Sequence, residues 1–262
     1  MDAGLTGRGL AQLAGWDRTK VSKIEHGRTM PTPADIRVWC KQTNAVDQAA
    51  DLIASLRAVE GMFVEWRRIE RSGLKRAQEV VAPLFERTRR FRAYDSWLVP
   101  GLLQTTAYTK AILAATATRR GLPDDVDGAV EVRMNRQHVL VEGDHTFAIL
   151  IEAAVLYNGI GGARTMAEQL RHLLTVSKWP SVSLGVIPFQ PDRALRPVEG
   201  FWIFDDDRVN VELISGWLTL TQPKEIAMYT QVFESLSAMA VYGAEARALV
   251  TSAIQDLTTR EN

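Results

Sequence analysis

The sequence predicts an α+β protein with a small helical head, a helical connector and a larger body that mixes strands with helices. Apolar residues recur at helical spacing through residues 1–46, between residues that favour helix ends. Residues 47–90 continue as amphipathic helices, whereas residues 91–262 alternate strand-like stretches with helical ones. No internal repeat or low-complexity tract interrupts this organisation.

The composition is that of an ordinary globular protein. Hydrophobic residues make up 46% of the chain and charged residues 24%. The length of 262 residues is enough for two domains. No stretch approaches 18 uninterrupted apolar residues, and the first residues do not resemble a secretory signal. The single cysteine, Cys40, excludes an internal disulfide framework and fits a reducing compartment. We therefore expect a cytoplasmic protein.

Charge is distributed unevenly although the formal net charge is zero. Residues 1–46 carry seven basic and three acidic side chains, a difference of about plus four. A second basic group lies in and after the connector: Arg67, Arg68, Arg71, Lys75, Arg76, Arg87, Arg89, Arg90 and Arg92. The pattern indicates a basic head on a neutral-to-acidic body.

The first two helices of the head are delimited by residues that cap helices. Thr6 is a predicted N-cap, and Gly15 supplies the left-handed residue that ends the helix and allows a sharp turn. Asp17 is a second predicted N-cap, and Gly27 ends the helix that follows it. Trp16 is expected to fill the turn between the two helices.

A third helix begins at Thr32, with Pro33 at its first position. Apolar residues recur at helical spacing in the first helix: Leu10, Ala11, Leu13 and Ala14. The predicted buried faces of the second and third helices are also apolar: Val21 and Ile24, then Ile36, Val38, Trp39 and Cys40. Helix, glycine turn, helix, loop and helix is the pattern of a helix-turn-helix unit.

In such a unit the second helix enters the major groove of DNA with its first residues toward the bases. Arg18, Thr19 and Lys23 are expected to face base edges, and Arg18 could bind a guanine in a bidentate manner. Phosphate contacts are expected from Arg8, Lys20, Ser22 and Arg28. The alternative is that these are solvated charges on a small helical hairpin.

The stretch "LAQLAGWDRTKVSKIEHGRTMPTPADIRVWC" resembles the XRE-type helix-turn-helix of the Scr-type, antitoxin-like and WhiJ-like regulators of actinobacteria. The similarity continues in family order through "VPGLLQTTAYTKAIL", "VRMNRQHVL", "IEAAVLYNGIGGARTMAEQLRHLL", "VSLGVIPF" and "EGFWIF". The resemblance implies a transcriptional regulator that binds double-stranded DNA. It also implies that the C-terminal domain binds a ligand or a small BldB-like partner protein.

The head departs from that family pattern at its start. Only residues 1–4 precede Leu5, where the family has another helix, and Gly9 replaces an acidic residue. Without that helix, we expect Leu10 and Leu13 to be uncovered, and about 200 Å² of exposed apolar area would cost roughly 5 kcal/mol. We therefore expect a weakened head, with either a start codon that lies upstream or a partner that covers the gap.

The connector is predicted to hold a helix at 47–56 and an amphipathic run from Phe63 through Phe85. Its basic face has three possible roles: a solvated surface, an additional phosphate contact or a dimer interface. In the body, the pattern predicts a strand from Phe91 that stops at Pro100 and Gly101. The other predicted elements are helices at 105–118, 124–141, 163–179, 223–239 and 244–257, strands at 145–152 and 182–189, and a hairpin that turns at 205–208.

Nothing in the body indicates catalysis, a cofactor or a metal. The four histidines have no metal-ligand spacing: His26, His138, His145 and His172. The glycines of residues 159–162 suit a plain turn better than a phosphate cradle, and residues 205–207 suit a hairpin turn better than a cation site. Glu152 and Glu212 would form an acid/base pair only if their strands adjoined.

The leading interpretation is a DNA-binding regulator that dimerises, without enzymatic activity. The runner-up is an antitoxin-like partner-binding protein whose incomplete head no longer binds DNA effectively. The tryptophans of the body are compatible with either a core or an interface: Trp97, Trp179, Trp202 and Trp217.

Overall fold

The computed structural model describes residues 4–53, 56, 63–65, 73–189, 192–193, 195 and 199–259. The chain divides into two compact units, Met1–Phe63 and Val64–Asn262. Part of the predicted connector, including Trp66, Arg67, Arg68, Ile69 and Arg71, lies outside the described residues. No helix among the described residues is long and apolar enough to cross a membrane.

Three helices form the first unit: α1 (Gly7–Ala14), α2 (Arg18–Glu25) and α3 (Pro33–Gln42). A 3-10 turn follows at Val46–Gln48, and helical backbone continues at 49–53. The predicted arrangement of helix, glycine turn, helix, loop and helix is confirmed.

The predicted caps are confirmed atom by atom. The hydroxyl oxygen of Thr6 accepts a hydrogen bond from the Gly9 amide at 3.1 Å, and the Asp17 carboxylate accepts one from the Thr19 amide at 2.6 Å. Gly15 has a φ of 67°, the left-handed conformation that a glycine adopts without steric cost. Thr32 forms a reciprocal capping box with Asp35. Local sequence therefore determines where each helix begins.

The core of the first unit has two small clusters. Leu10, Ala11 and Val21 form one, against which Trp16 and Trp39 pack. The other contains Ile36, Cys40, Ile53 and Leu56. The expectation that Leu10 is uncovered is wrong, because Leu10 is only 3% exposed within the first cluster. Leu13 is 54% exposed, as expected.

The second unit is built on a mixed seven-stranded sheet with the order β1-β7-β6-β5-β2-β3-β4. Strands β2, β3 and β4 are parallel to one another, whereas β5, β6 and β7 join the other side of β2 by antiparallel pairing. The strands are β1 (Phe63–Glu65), β2 (Arg90–Asp95), β3 (Thr146–Glu152), β4 (Val182–Ile187), β5 (Phe201–Phe204), β6 (Arg208–Glu212) and β7 (Gly216–Leu220).

Helices cover both faces of this sheet. They are α4 (Gly73–Arg87), α5 (Thr106–Arg120), α6 (Val126–Asn135), α7 (Ala163–Val176), α8 (Pro223–Met239) and α9 (Gly243–Thr259). Alternate residues of a strand point to opposite faces, so Phe91 of β2 joins the core beneath α4, α5, α7 and α9. Tyr94 of the same strand lies in a second core with Phe233 and Leu236 of α8. The α+β prediction is confirmed.

Some predicted elements need correction. Residues 63–65 form a strand rather than the start of an amphipathic helix, and the predicted helix at 124–141 becomes a 3-10 turn at Arg136–Leu140. Strand β7 was not predicted. The hairpin of β5 and β6 turns at residues 205–207, as expected. Trp179 and Trp202 pack against the core, but Trp97 is 72% exposed and is not a core residue.

Candidate nucleic-acid interface

Helix α2 is held to the head by its apolar side and presents polar residues to solvent. Val21 is 1% exposed, so the buried side of α2 passes through this residue. The side chains predicted to face bases or phosphates from α2 are exposed, apart from the partly buried Lys20: Arg18, Thr19, Ser22 and Lys23. The Asp17 cap fixes the start of α2, which places Arg18 at its first helical position.

Lys20 is held against the head by two contacts. Its ammonium nitrogen lies 2.6 Å from Oδ1 of Asp35 in α3 and 4.4 Å from the centre of the Trp16 ring. Hydrogen bonding to this ammonium lowers the pKa of the Asp35 carboxyl group below its usual value. Trp16 in turn contacts Trp39, with ring centroids 6.1 Å apart. The structure thus gives Lys20 an ion pair within the head, in addition to the phosphate contact that the sequence predicts for it.

The other two predicted phosphate contacts flank α2. Arg8 is exposed on α1, and Arg28 is exposed in the loop that follows Gly27, whose φ is 65°. The amides of Arg28 and Thr29 donate to the carbonyl of Lys23, at 2.7 and 3.2 Å, so this loop is attached to the last turn of α2.

Four cations of the head remain available to an external anion. Among the described residues, no carboxylate lies within 4.0 Å of the charged groups of Arg8, Arg18, Lys23 and Arg28. Exposed, unpaired cations at the ends of two short helices are suited to phosphate oxygens.

Sequence reasoning missed a close approach between the first two helices. A Cβ atom added at Gly7 of α1 would lie 2.9 Å from Oε2 of Glu25 in α2. Glu25 is exposed and the contacted atom is the end of its flexible side chain, so a small side chain at position 7 would be accommodated by a shift of that carboxylate. Only the unusual glycine at the start of a helix could have pointed to this contact.

The body does not bring the candidate catalytic residues together. Strands β3 and β6 are separated by β2 and β5, which places Glu152 and Glu212 about 14 Å apart at standard strand spacing. Glu152 instead accepts two hydrogen bonds from Arg193, at 2.5 and 2.8 Å, and one from the Tyr94 hydroxyl at 2.7 Å. This is an internal ion pair with a tyrosine, and the hypothesised pair with Glu212 is wrong.

The two remaining polar motifs of the body serve turns. Asp205 has a φ of 50° and its carboxylate accepts from the Arg89 and Arg90 amides, while Asp206 pairs with the Arg90 and Arg92 side chains. Residues 159–162 form a turn before α7, in which Gly161 and Gly162 have φ values of 70° and 86°. No group of three or more potential metal ligands occurs in the part of the chain that the structure describes.

Comparison with known proteins also separates an N-terminal helix-turn-helix domain from a second domain that follows it. A family model described as a helix-turn-helix domain matches residues 1–52, and one described as a domain of unknown function (DUF5753) matches residues 82–252. A search of curated proteins found no match. The solved structure described as "Structure of TrmBL2, an archaeal chromatin protein, shows a novel mode of DNA binding" covers 91% of this chain and 88% of its own. Its TM-score of 0.36 and identity of 12% are too low to support an argument.

Proposed function

The chain belongs to the DUF5753 family and carries a helix-turn-helix domain ahead of that domain, and from this premise we propose that it is a DNA-binding transcriptional regulator. One observation supports this most directly. Helix α2 begins at a fixed cap, and its first residues, Arg18 and Thr19, are exposed beside Lys20, which is tied to the head. A rigid short helix with polar residues at its start is the element that a major groove accepts.

In this proposal Arg18, Thr19 and Lys23 contact base edges, with Arg18 able to bind guanine O6 and N7 together. Arg8, Ser22 and Arg28 contact phosphates, which set position without reading sequence. Lys20 contributes to phosphate binding only through the part of its side chain, 41% exposed, that the ion pair leaves accessible. Few phosphate contacts imply weak non-specific binding that salt reduces.

We propose that the body dimerises, so that two heads meet the halves of a two-fold operator. By the family resemblance, the protein is an XRE-type, antitoxin-like regulator of the Scr and WhiJ-like kind. The body would then sense a ligand or a small BldB-like partner, in the cytoplasm and without catalysis.

The test is a titration of the full chain against its own promoter DNA, followed by fluorescence anisotropy at several salt concentrations. We expect tighter binding to the promoter than to a scrambled duplex of the same length, with a difference that persists as salt rises. Equal affinity for both duplexes at every salt concentration would contradict the proposal.

A second candidate is an antitoxin-like protein that binds a partner and does not bind DNA effectively. The exposure of Leu13 favours it, because an apolar side chain that is 54% exposed on α1 is suited to a partner surface. Repeating the promoter titration with and without a small BldB-like protein separates the candidates. Tight complex formation without any promoter preference would support the second.

A further inference from the structure

Two arginines of the body share one uncharged hydrogen-bond acceptor. Nε of Arg133 in α6 and Nη2 of Arg136, just after that helix, both donate to Oε1 of Gln78 in α4, each at 3.1 Å. Nη1 of Arg133 also donates to Oε1 of Gln104 at 3.2 Å. Two positive guanidinium groups are therefore held together by amide oxygens, which carry no charge to neutralise them.

Gln104 is positioned by its neighbours and not only by Arg133. Its amide nitrogen donates to the Val99 carbonyl at 2.7 Å, and Thr109 donates its hydroxyl proton to Oε1 at 3.0 Å. Because Gln104 is itself buried, the acceptor for Arg133 is fixed before any ligand arrives. Such preorganisation is typical of binding sites.

Arg136 is buried, and part of its guanidinium group has no hydrogen-bond partner among the described residues. Its residue is 7% exposed, and its guanidinium carbon lies 4.5 Å from the centre of the Phe85 ring. Nε and Nη1 of Arg136 have no hydrogen-bond partner among the described residues. Burial and the neighbouring Arg133 charge lower the pKa of Arg136 to about 9, so the group is still charged at neutral pH.

A carboxylate that would balance these charges is missing from the described part of the chain. No Asp or Glu among those residues forms an ion pair with Arg133 or Arg136. Burial lowers the pKa of Arg133, and the charge of Glu212 opposes that shift, but Glu212 forms no hydrogen bond with the guanidinium. Two buried like charges that no described carboxylate contacts are costly, and an anion bound between them reduces that cost.

We propose that Arg133 and Arg136, with Gln78 and Gln104, form a binding site for the oxyanion group of a small molecule, either a phosphate or a carboxylate. This deepens, and rests on, the ligand-sensing part of the proposed function. Planar guanidinium groups present paired N–H donors that match the oxygens of both anions. Arg133 is partly buried, whereas Arg136 is buried.

Isothermal titration of the full chain with inorganic phosphate, and separately with succinate, tests this site. We expect saturable binding of at least one anion at one site per chain, and the anion that binds identifies the ligand as phosphorylated or as a carboxylic acid. Arg133→Gln removes the guanidinium group of Arg133 and its paired N–H donors. The affinity of this variant for the anion should therefore be about tenfold or more lower than that of the parent. The control Arg164→Gln removes a charge that is 90% exposed on α7 and should leave the affinity unchanged.

Circular dichroism establishes whether each variant folds. If Arg133→Gln does not fold, Arg133→Lys keeps the charge without the fork, and the expected result is again weaker binding with the fold intact. Absence of saturable binding of either anion to the unmodified chain would overturn the inference, as would an Arg133→Gln affinity equal to that of the parent. A chain that prefers its promoter but fails this titration contradicts the anion site alone, because DNA binding is measured on the other unit.

Discussion

The ammonium group of Lys20 lies 2.6 Å from the carboxylate of Asp35, which connects helix α2 directly to helix α3. The same lysine lies over the Trp16 ring, so it also fixes the turn that precedes α2. Asp35 completes the capping box of α3 with Thr32. One side-chain pair thus sets the orientation of the proposed DNA-contacting helix and stabilises the start of its neighbour.

Replacing Lys20 with Ala should therefore loosen α2 without unfolding the body. The pair is partly exposed, so we expect a loss of about 1 kcal/mol in the local stability of the head, including the lost contact with Trp16. Hydrogen exchange monitored by mass spectrometry should show faster exchange in peptides spanning α2 and α3. Lys41→Ala on the exposed end of α3 is the control; equal changes in both variants would argue against a special role for Lys20.

The same pair predicts how the head responds to acid. Because the Lys20 ammonium lowers the pKa of Asp35 from 3.8, the stability from this pair is fully present above about pH 4. It is lost as the pH falls through the lowered pKa, where the folded head must take up a proton. Asp35→Asn should remove that part of the acid sensitivity while it lowers stability at neutral pH, and exchange rates measured between pH 3 and 6 would show both effects.

DNA binding should separate residues that read bases from those that hold phosphates. Arg18→Ala should cost about 1–3 kcal/mol on the promoter and relax preference at one base pair, because a bidentate base contact is lost. Arg28→Ala should weaken binding to all duplexes alike. It should also reduce by about one the slope of the logarithm of the binding constant against the logarithm of the salt concentration. Anisotropy with single-base-pair promoter variants measures both, and parallel losses for the two substitutions on promoter and scrambled DNA would contradict the assignment.

Features of the head that depend on neighbouring residues were predictable from sequence. Thr6, Asp17 and Thr32 accept hydrogen bonds from amides two or three positions away, and Gly15 ends α1 with its left-handed backbone, so spacing alone reveals these residues. The contact between Lys20 and Asp35 spans 15 positions, and neither residue type specifies its partner. The prediction therefore identified the helices and their ends but not how α2 is attached to α3.

In the body, topology was the missing information. Sequence patterns predicted the strands of the parallel region, yet not that β2 lies between β3 and β5. Without that order, Glu152 could equally have faced Glu212, and its pairing with Arg193 could not be inferred. Arg133 and Arg136 lie in a predicted helical stretch, but their distance from Gln78 in sequence conceals the shared acceptor.

The Glu152–Arg193 ion pair should be worth more than a surface pair, because both side chains are largely removed from water, with exposures of 11% and 27%. A double-mutant cycle with Glu152→Gln and Arg193→Ala should give a coupling free energy of about 1–3 kcal/mol. Urea unfolding of the four proteins measures it. Arg164→Ala with Glu168→Gln on the exposed face of α7 is the matched control and should show coupling below about 0.5 kcal/mol. Similar couplings in both cycles would mean that the Glu152 pair is an ordinary surface contact.

The last prediction concerns Asp95, at the end of β2. Its Oδ1 accepts from the amides of Trp97 and Leu98, at 2.8 and 2.9 Å, but burial and the charge of Glu212 raise the pKa of this carboxyl group to about 6. The folded body then holds a proton that the unfolded chain releases between pH 3.8 and about 6. Stability from this group is therefore greatest in acid and decreases as the pH rises through that window.

Asp95→Asn keeps a carbonyl oxygen for both amides and removes the charge. It should match the parent near pH 4 and exceed it in stability by about 1–2 kcal/mol at pH 7.5, after allowance for partial exposure. Urea unfolding followed by circular dichroism across pH 4–8 measures the difference, with Asp144→Asn on the surface as the control. If Asp95→Asn is less stable than the parent at pH 7.5, the hydrogen bonds of the carboxylate to the two amides outweigh its burial, and the inferred direction of the pKa shift is wrong.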